Sequence, residues 1–207
     1  MHYLSDEEVR GLEHKANEIR QSIIEMLVEA GSGHTAGPLD MADIFALLYF
    51  EILKHKPTDP FWSERDRVIL SNGHICPVLY ASMAHAGYFP VSELLTLRKF
   101  GSRLQGHPHK ETLPGIETSS GPLGSGISQA IGMALAERMD NPYSAKYFYC
   151  LTGDGELDCG QIWEAMMLAG KEKLHNLIVI VDRNGIQIDG YTKDVMPLEQ
   201  KSKKLES

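Results

Sequence analysis

Apolar and polar positions recur along this chain in two rhythms, and the changes of rhythm mark its elements. Val9, Leu12, Ala16, Ile19, Ile23 and Leu27 recur every three or four positions, the spacing of one core-facing helix stripe. Ser5 to Glu8 reads SDEE, a capping-box pattern that starts such a helix. LDMADIFALLYFEIL predicts a second helix that stops before Pro57. DRVILSNGH reads as a strand with a polar exit, ICPVLYASMAHAGY as the helix after it, and GPLGSGISQAIGMALAERM as a glycine-rich loop opening another helix.

Near the end the rhythm changes again. KYFYCLT from Lys146 and NLIVIVD from Asn176 are short runs of aromatic and β-branched residues without polar alternation, the signature of strands buried on both faces. Between them, CGQIWEAMMLAGKEKL places Ile162, Met166, Ala169 and Gly170 on one helical face, with Glu and Lys elsewhere. Strand, helix, strand at this spacing is a βαβ unit with parallel strands and a right-handed crossover. The whole order alternates helix and strand. It predicts an α/β fold, a parallel sheet with helices on both faces, in a single domain over residues 1–207. No repeat or Pro/Gly/Ser linker divides it.

Parallel strands open on one edge of the sheet, where open α/β folds bind ligands. Asp154 and Asn184 stand just past the two strand exits. Gly153 and Gly155 let the backbone turn tightly and approach a ligand closely. A carboxylate, an amide oxygen and a backbone carbonyl make an all-oxygen set, suited to Mg²⁺ or Ca²⁺ with phosphate oxygens as further partners. Asp-Gly or Asn-Gly alone also reads as a plain turn after a strand. The two in register across one βαβ unit favour a metal-bridged diphosphate.

Composition narrows the rest. A net charge of −8 argues against broad nucleic-acid or anionic-membrane binding. IFALLYFEIL, the longest apolar stretch, is too short to span a bilayer and carries Glu51. Cys76, Cys150 and Cys159 are scattered and lack metal-ligand spacing, so they read as free thiols in a reducing compartment. No signal peptide opens the chain. The expectation is a soluble cytoplasmic protein.

Three histidines each follow a glycine in a predicted loop: His34 in GSGH, His74 in SNGH and His107 in QGHP. A lone histidine is more often a hydrogen-bonded structural residue than a catalyst. Three in such loops suit repeated proton transfer near neutral pH. His2, His14, His55, His85, His109 and His175 keep the structural reading. Gly121, Gly124 and Gly126 hint at a dinucleotide fingerprint, but its third glycine falls on Gln129 and no clear strand precedes the loop.

GDGEL with WEA, then a strand and DRNGIQIDG, resembles the thiamine diphosphate signature of transketolases. The resemblance extends from KANEIRQSIIEMLVEAGSGH through SNGH, GSRLQGHP and TSSGPLGSGISQAIGMA. It implies transfer of a two-carbon ketol unit from a ketose phosphate to an aldose phosphate. By the same resemblance Asp154, Asn184 and the Ile186 carbonyl hold Mg²⁺ (or Ca²⁺), with Gly153 and Gly155 against the diphosphate. Gly121 and Leu123 contact the cofactor through backbone atoms. His34, His74 and His107 line the channel, touching substrate hydroxyls and the diphosphate, and Glu164 joins a polar network between paired sites. Sister thiamine diphosphate enzymes, such as a deoxyxylulose-phosphate synthase or a ketoacid dehydrogenase subunit, are alternatives, and so is a truncated, non-catalytic binding subunit. The ordered GSGH, SNGH and GHP set favours transketolase over the sister enzymes.

Two departures stand out. The family reads Glu-Gly where this chain has Cys159-Gly160. The chain also ends in VMPLEQKSKKLES, where relatives continue the domain and then carry a pyrimidine-binding domain, fused or separate. The expectation is therefore the amino-terminal subunit of a split transketolase, self-associating and active only with a separate carboxy-terminal subunit.

Overall fold

The computed structural model describes residues 3–198. It opens with α1 (Asp6–Ala30). The Glu8 N–H donates to the Ser5 hydroxyl while the Ser5 N–H donates to the Glu8 carboxylate, so the capping box forms. Then come α2 (Ala36–Asp40), α3 (Ala42–Leu47) and one π turn at Leu48–Ile52. β1 (Arg67–Leu70), α4 (Cys76–His85), α5 (Ser125–Asp140), β2 (Phe148–Gly153), α6 (Gly160–Lys171) and β3 (Leu177–Asp182) build the body. A small hairpin, β4 (Ile186–Gln187) with β5 (Gly190–Tyr191), and α7 (Thr192–Val195) follow.

β1, β2 and β3 form one parallel sheet in that order. Side chains alternate across it. Leu70, Tyr149 and Leu151 face a layer made by α1, α3 and α4. Ile69, Phe148 and Cys150 face α5 and α6. The expected sheet with helices on both faces is what forms. The register pairs Gly153 with Asp182, so the exits of β2 and β3 lie side by side, as the βαβ reading requires.

Four local expectations change. β2 is buried, but β3 is half-buried and Ile178 is 36% exposed. Among the described residues β3 is one of the sheet's two edges, and a continuous apolar run reads the same on an edge as in the centre. The predicted second helix is broken at Met41, whose ψ of 1° departs from helical values, and it ends in a π turn where the Leu53 N–H donates to the Leu48 carbonyl at 2.8 Å. In α1, burial begins only at Ala16, leaving Val9 exposed. Likewise α6 buries Ile162 and Ala165, with Met166 and Ala169 half-buried and Gly170 exposed.

Candidate active site

The carboxyl ends of the three strands and the loops before α2 and α5 enclose a cleft of about 600 Å³. His34, His74, His107, Gly121, Leu123, Gly153, Asp154, Gly155, Asn184 and Ile186 all line it. Glu164 does not: it is exposed in the middle of α6.

The diphosphate-and-metal candidates occupy two facing turns. Asp154 follows β2, is 2% exposed, and donates its N–H to the Asp182 carbonyl at 2.9 Å. Its carboxylate accepts the Gly185 N–H at 3.1 Å. The Asn184 side-chain oxygen accepts the Ile186 N–H at 2.9 Å, while its amide donates to the Asp182 carboxylate at 3.1 Å. Gly185 turns the chain at φ 75°, a left-handed value that favours glycine. Burial pushes Asp182 up to about 6; Asn184 donation opposes this, and Asp40 and Asp154 add to it.

These residues fit a diphosphate with a hard cation. The donors are a carboxylate, an amide oxygen and a carbonyl, all oxygen. Among the described residues no three His, Cys, Asp or Glu side chains cluster as a ready metal site, so a cation held here would need neutral oxygens beside the Asp154 carboxylate. A Cβ added at Gly121 or Gly153 would meet open space, so bare backbone borders the cleft there. Asn72, on the same wall, is 1% exposed with both side-chain amide atoms unpartnered. Such buried orphans are rare and call for a ligand or ordered water.

The histidines come from three separate loops. Gly31 ends α1 at φ 63°, and Gly33 has no room for a Cβ, which would lie 2.4 Å from Leu27 Cδ2. His34 is thereby turned toward the sheet edge. His74 sits in a short 3₁₀ turn after β1, where a Cβ on Gly73 would come within 2.5 Å of Ser120 Cβ and 3.3 Å of the His107 ring. The His34 ring centroid lies 5.1 Å from His74 and 6.5 Å from His107.

Burial lowers His74 to about 4, with His34 and His107 adding to the shift. Burial also lowers His107, with His34 and Arg98 adding. Both rings are neutral at neutral pH. The unfolded chain takes protons below about 6.5, whereas folded His74 resists them down to about 4. Stability should therefore fall as pH drops through that window. Thermal melts across it should show a shallower loss in His74→Gln than in wild type; equal slopes would contradict the assignment.

Sequence reasoning missed Glu156, Asn72 and Asp182 as parts of this cleft. Glu156 is 2% exposed, although it stands inside the GDGEL signature. Its carboxylate accepts the Ser71 hydroxyl and the N–H groups of Gly124 at 2.6 Å and Gly153 at 3.1 Å. It thus holds the amino end of α5, where a dinucleotide fingerprint would need a phosphate. The segment leading into that loop is irregular rather than a strand. At the Cys159 departure, the thiol donates to the Leu123 carbonyl at 3.7 Å. Burial pushes that thiol up, with Glu156 and Asp158 adding, so it is neutral at neutral pH.

The family model described as transketolase, thiamine diphosphate binding domain, matches residues 12–207. The chain belongs to the transketolase family. It is 46% identical over 188 residues to the 6-deoxy-6-sulfo-D-fructose transketolase subunit SqwG of Clostridium sp. (strain MSTE9), covering 91% of this chain and 68% of that protein. To an apulose-4-phosphate transketolase subunit of Actinobacillus succinogenes it is 41% identical over 197 residues, covering 95% of this chain and 71% of that one. Among solved structures, a transketolase from Leishmania mexicana superposes with a TM-score of 0.89 at 39% identity, over 99% of this chain. This transketolase-family chain spans 31% of that longer chain. No described helix is long and apolar enough to cross a membrane.

Proposed function

We propose that this chain is the amino-terminal, thiamine diphosphate-binding subunit of a split transketolase. In this reading a separate carboxy-terminal subunit completes the site, the assembly pairs with itself, and sugar phosphates are exchanged in the cytoplasm. The convergence of Asp154, Asn184 and the three loop histidines on one glycine-bordered cleft carries the reading. The subunit-sized relatives agree with it.

Asp154, Asn184 and the Ile186 carbonyl would hold Mg²⁺ (or Ca²⁺) against the diphosphate. Backbone at Gly153 and Gly155 would lie along it, and Gly121 with Leu123 would contact the cofactor's other end. When bound, thiamine diphosphate supplies the nucleophilic carbon and electron sink for breaking the bond beside a ketose carbonyl. The chain's own part is binding and proton movement. A neutral imidazole both accepts and donates, so His107 and His74 can take a hydroxyl proton as an aldose leaves and return it as another adds. His34, 5.1 Å from His74 between ring centroids, shares that channel. Glu164 is exposed in this chain alone. Its proposed place is in contacts between paired sites.

The test mixes the purified chain with its candidate partner chain. Donors are xylulose 5-phosphate and the two sugars for which the relatives are named, with ribose 5-phosphate as acceptor. Either chain alone should give no turnover, and mixing should release the aldose product from at least one donor. Full turnover by this polypeptide alone would overturn the split-subunit reading.

A further inference from the structure

Glu156 is a buried acid to which the proposed chemistry assigns nothing. Carboxylates are seldom so buried unless paired, yet among the described residues it joins no ion pair. Its partners are dipoles instead: the Ser71 hydroxyl, the Gly124 N–H and the Gly153 N–H. Ser71 in turn accepts the Gly126 N–H at 3.1 Å. A Cβ on Gly126 would fall 2.5 Å from Ser71 Cα, so α5 meets the exit of β1 backbone to backbone. The carboxylate therefore stands at the positive end of the 16-residue α5. It joins three segments that bound the cleft: the exits of β1 and β2 and the loop at Gly121–Gly124.

We propose that Glu156 is a positioning residue for cofactor binding. Its acceptor bonds fix the separation between the loop at Gly121–Leu123 and the Gly153–Gly155 turn. One ligand can then engage both only while the carboxylate holds them in register. This rests on the thiamine diphosphate reading above. Glu156 acts through Ser71, Gly124 and Gly153, and its own oxygens are taken by those donors. Because it already occupies the start of α5, the negative charge of a diphosphate is directed to the Asp154–Asn184 side, where a cation is needed.

The variant is Glu156→Gln in the full chain, assembled with its partner. Glutamine keeps the shape but offers one carbonyl oxygen and an NH₂ that confronts a backbone N–H. Hydrogen exchange without cofactor should be at least about tenfold faster at Gly124, Gly126 and Gly153, because charged acceptors contribute most strongly to such bonds. Calorimetry with thiamine diphosphate and Mg²⁺ should show affinity weakened about tenfold or more. Turnover at saturating cofactor should stay within about twofold of wild type, as expected for lost binding rather than lost chemistry. Glu156→Asp, which keeps the charge on a shorter arm, should recover part of the affinity. If Glu156→Gln does not fold, Ser71→Ala removes one link and should speed exchange at Gly126. Unchanged exchange and unchanged affinity would overturn the proposal, as would a turnover loss at saturating cofactor with affinity intact. A wild-type complex that binds no thiamine diphosphate would sink the functional reading and the cofactor role of Glu156 together. The exchange arm, read without cofactor, separates that failure from failure of the clamp.

Discussion

Asp154→Ala should abolish measurable thiamine diphosphate binding in the assembled complex, or weaken it by at least about a hundredfold. The magnitude follows from metal sites, where losing only an outer-shell partner costs about 10–100-fold in affinity. Asp154 is the one carboxylate in its proposed donor set, the others being Asn184 and the Ile186 carbonyl. Without it, the phosphate charge faces a cation held only by neutral oxygens. Alanine also removes the acceptor for the Gly185 N–H, so Asp154→Asn is the informative companion. Asparagine keeps an oxygen for Gly185 and drops the charge. Cofactor affinity should fall nearly as far, while the fold should hold, since a like charge beside Asp182 is gone. One of the contributions that raise Asp182 is the Asp154 charge, so Asp182 should ionise more readily in this variant. Chelating the divalent ion should mimic both substitutions. Calorimetric affinity unchanged in the two variants would remove Asp154 from the metal site.

The convergence behind that prediction was legible because it is mostly local. Two apolar runs joined by one amphipathic helix dictate parallel strands, and parallel strands bring Asp154 and Asn184 to one edge whatever surrounds them. Helix interruptions and edge exposure were not legible. Nothing in LIVIVD states whether another strand lies beside it, and no residue in LDMADIFALL signals the break at Met41. Glu156 was hidden for a sharper reason. Its burial depends on donors at Ser71, Gly124 and Gly153, two of them far away in the chain. A period-based reading sees only a charged residue after a turn. The exposed position of Glu164 agrees with the polar face read for α6, whereas its role came from family resemblance alone. Cys159 was legible as a departure. Its neutral state depends on burial and on the acids at Glu156 and Asp158, the first of which the fold turns inward.

His34→Ala and His107→Ala should each cut turnover by about 10²-fold or more, the usual scale for a positioned proton-transfer group. Folding and cofactor affinity should stay near wild type. The geometry distinguishes these histidines from structural ones within the same chain. His55 is anchored at both nitrogens, 2.8 Å from the Tyr49 carbonyl and 3.1 Å from the Tyr88 hydroxyl. His85 meets the Ser22 hydroxyl at 3.0 Å. Removing either ring leaves buried partners unsatisfied, which costs about 1–3 kcal/mol. By contrast, the contacts of His34 with His74 and with His107 are ring to ring across the cleft. No hydrogen bond to another described residue is lost when either is truncated. The two classes should therefore separate on two axes. His55→Ala and His85→Ala should lower the melting temperature and leave the turnover of the folded fraction intact. His34→Ala and His107→Ala should do the reverse. The measurement is steady-state turnover of the reconstituted complex beside thermal melts of the same four proteins. Parallel loss of stability and activity in the His34 and His107 variants would return both residues to a structural role.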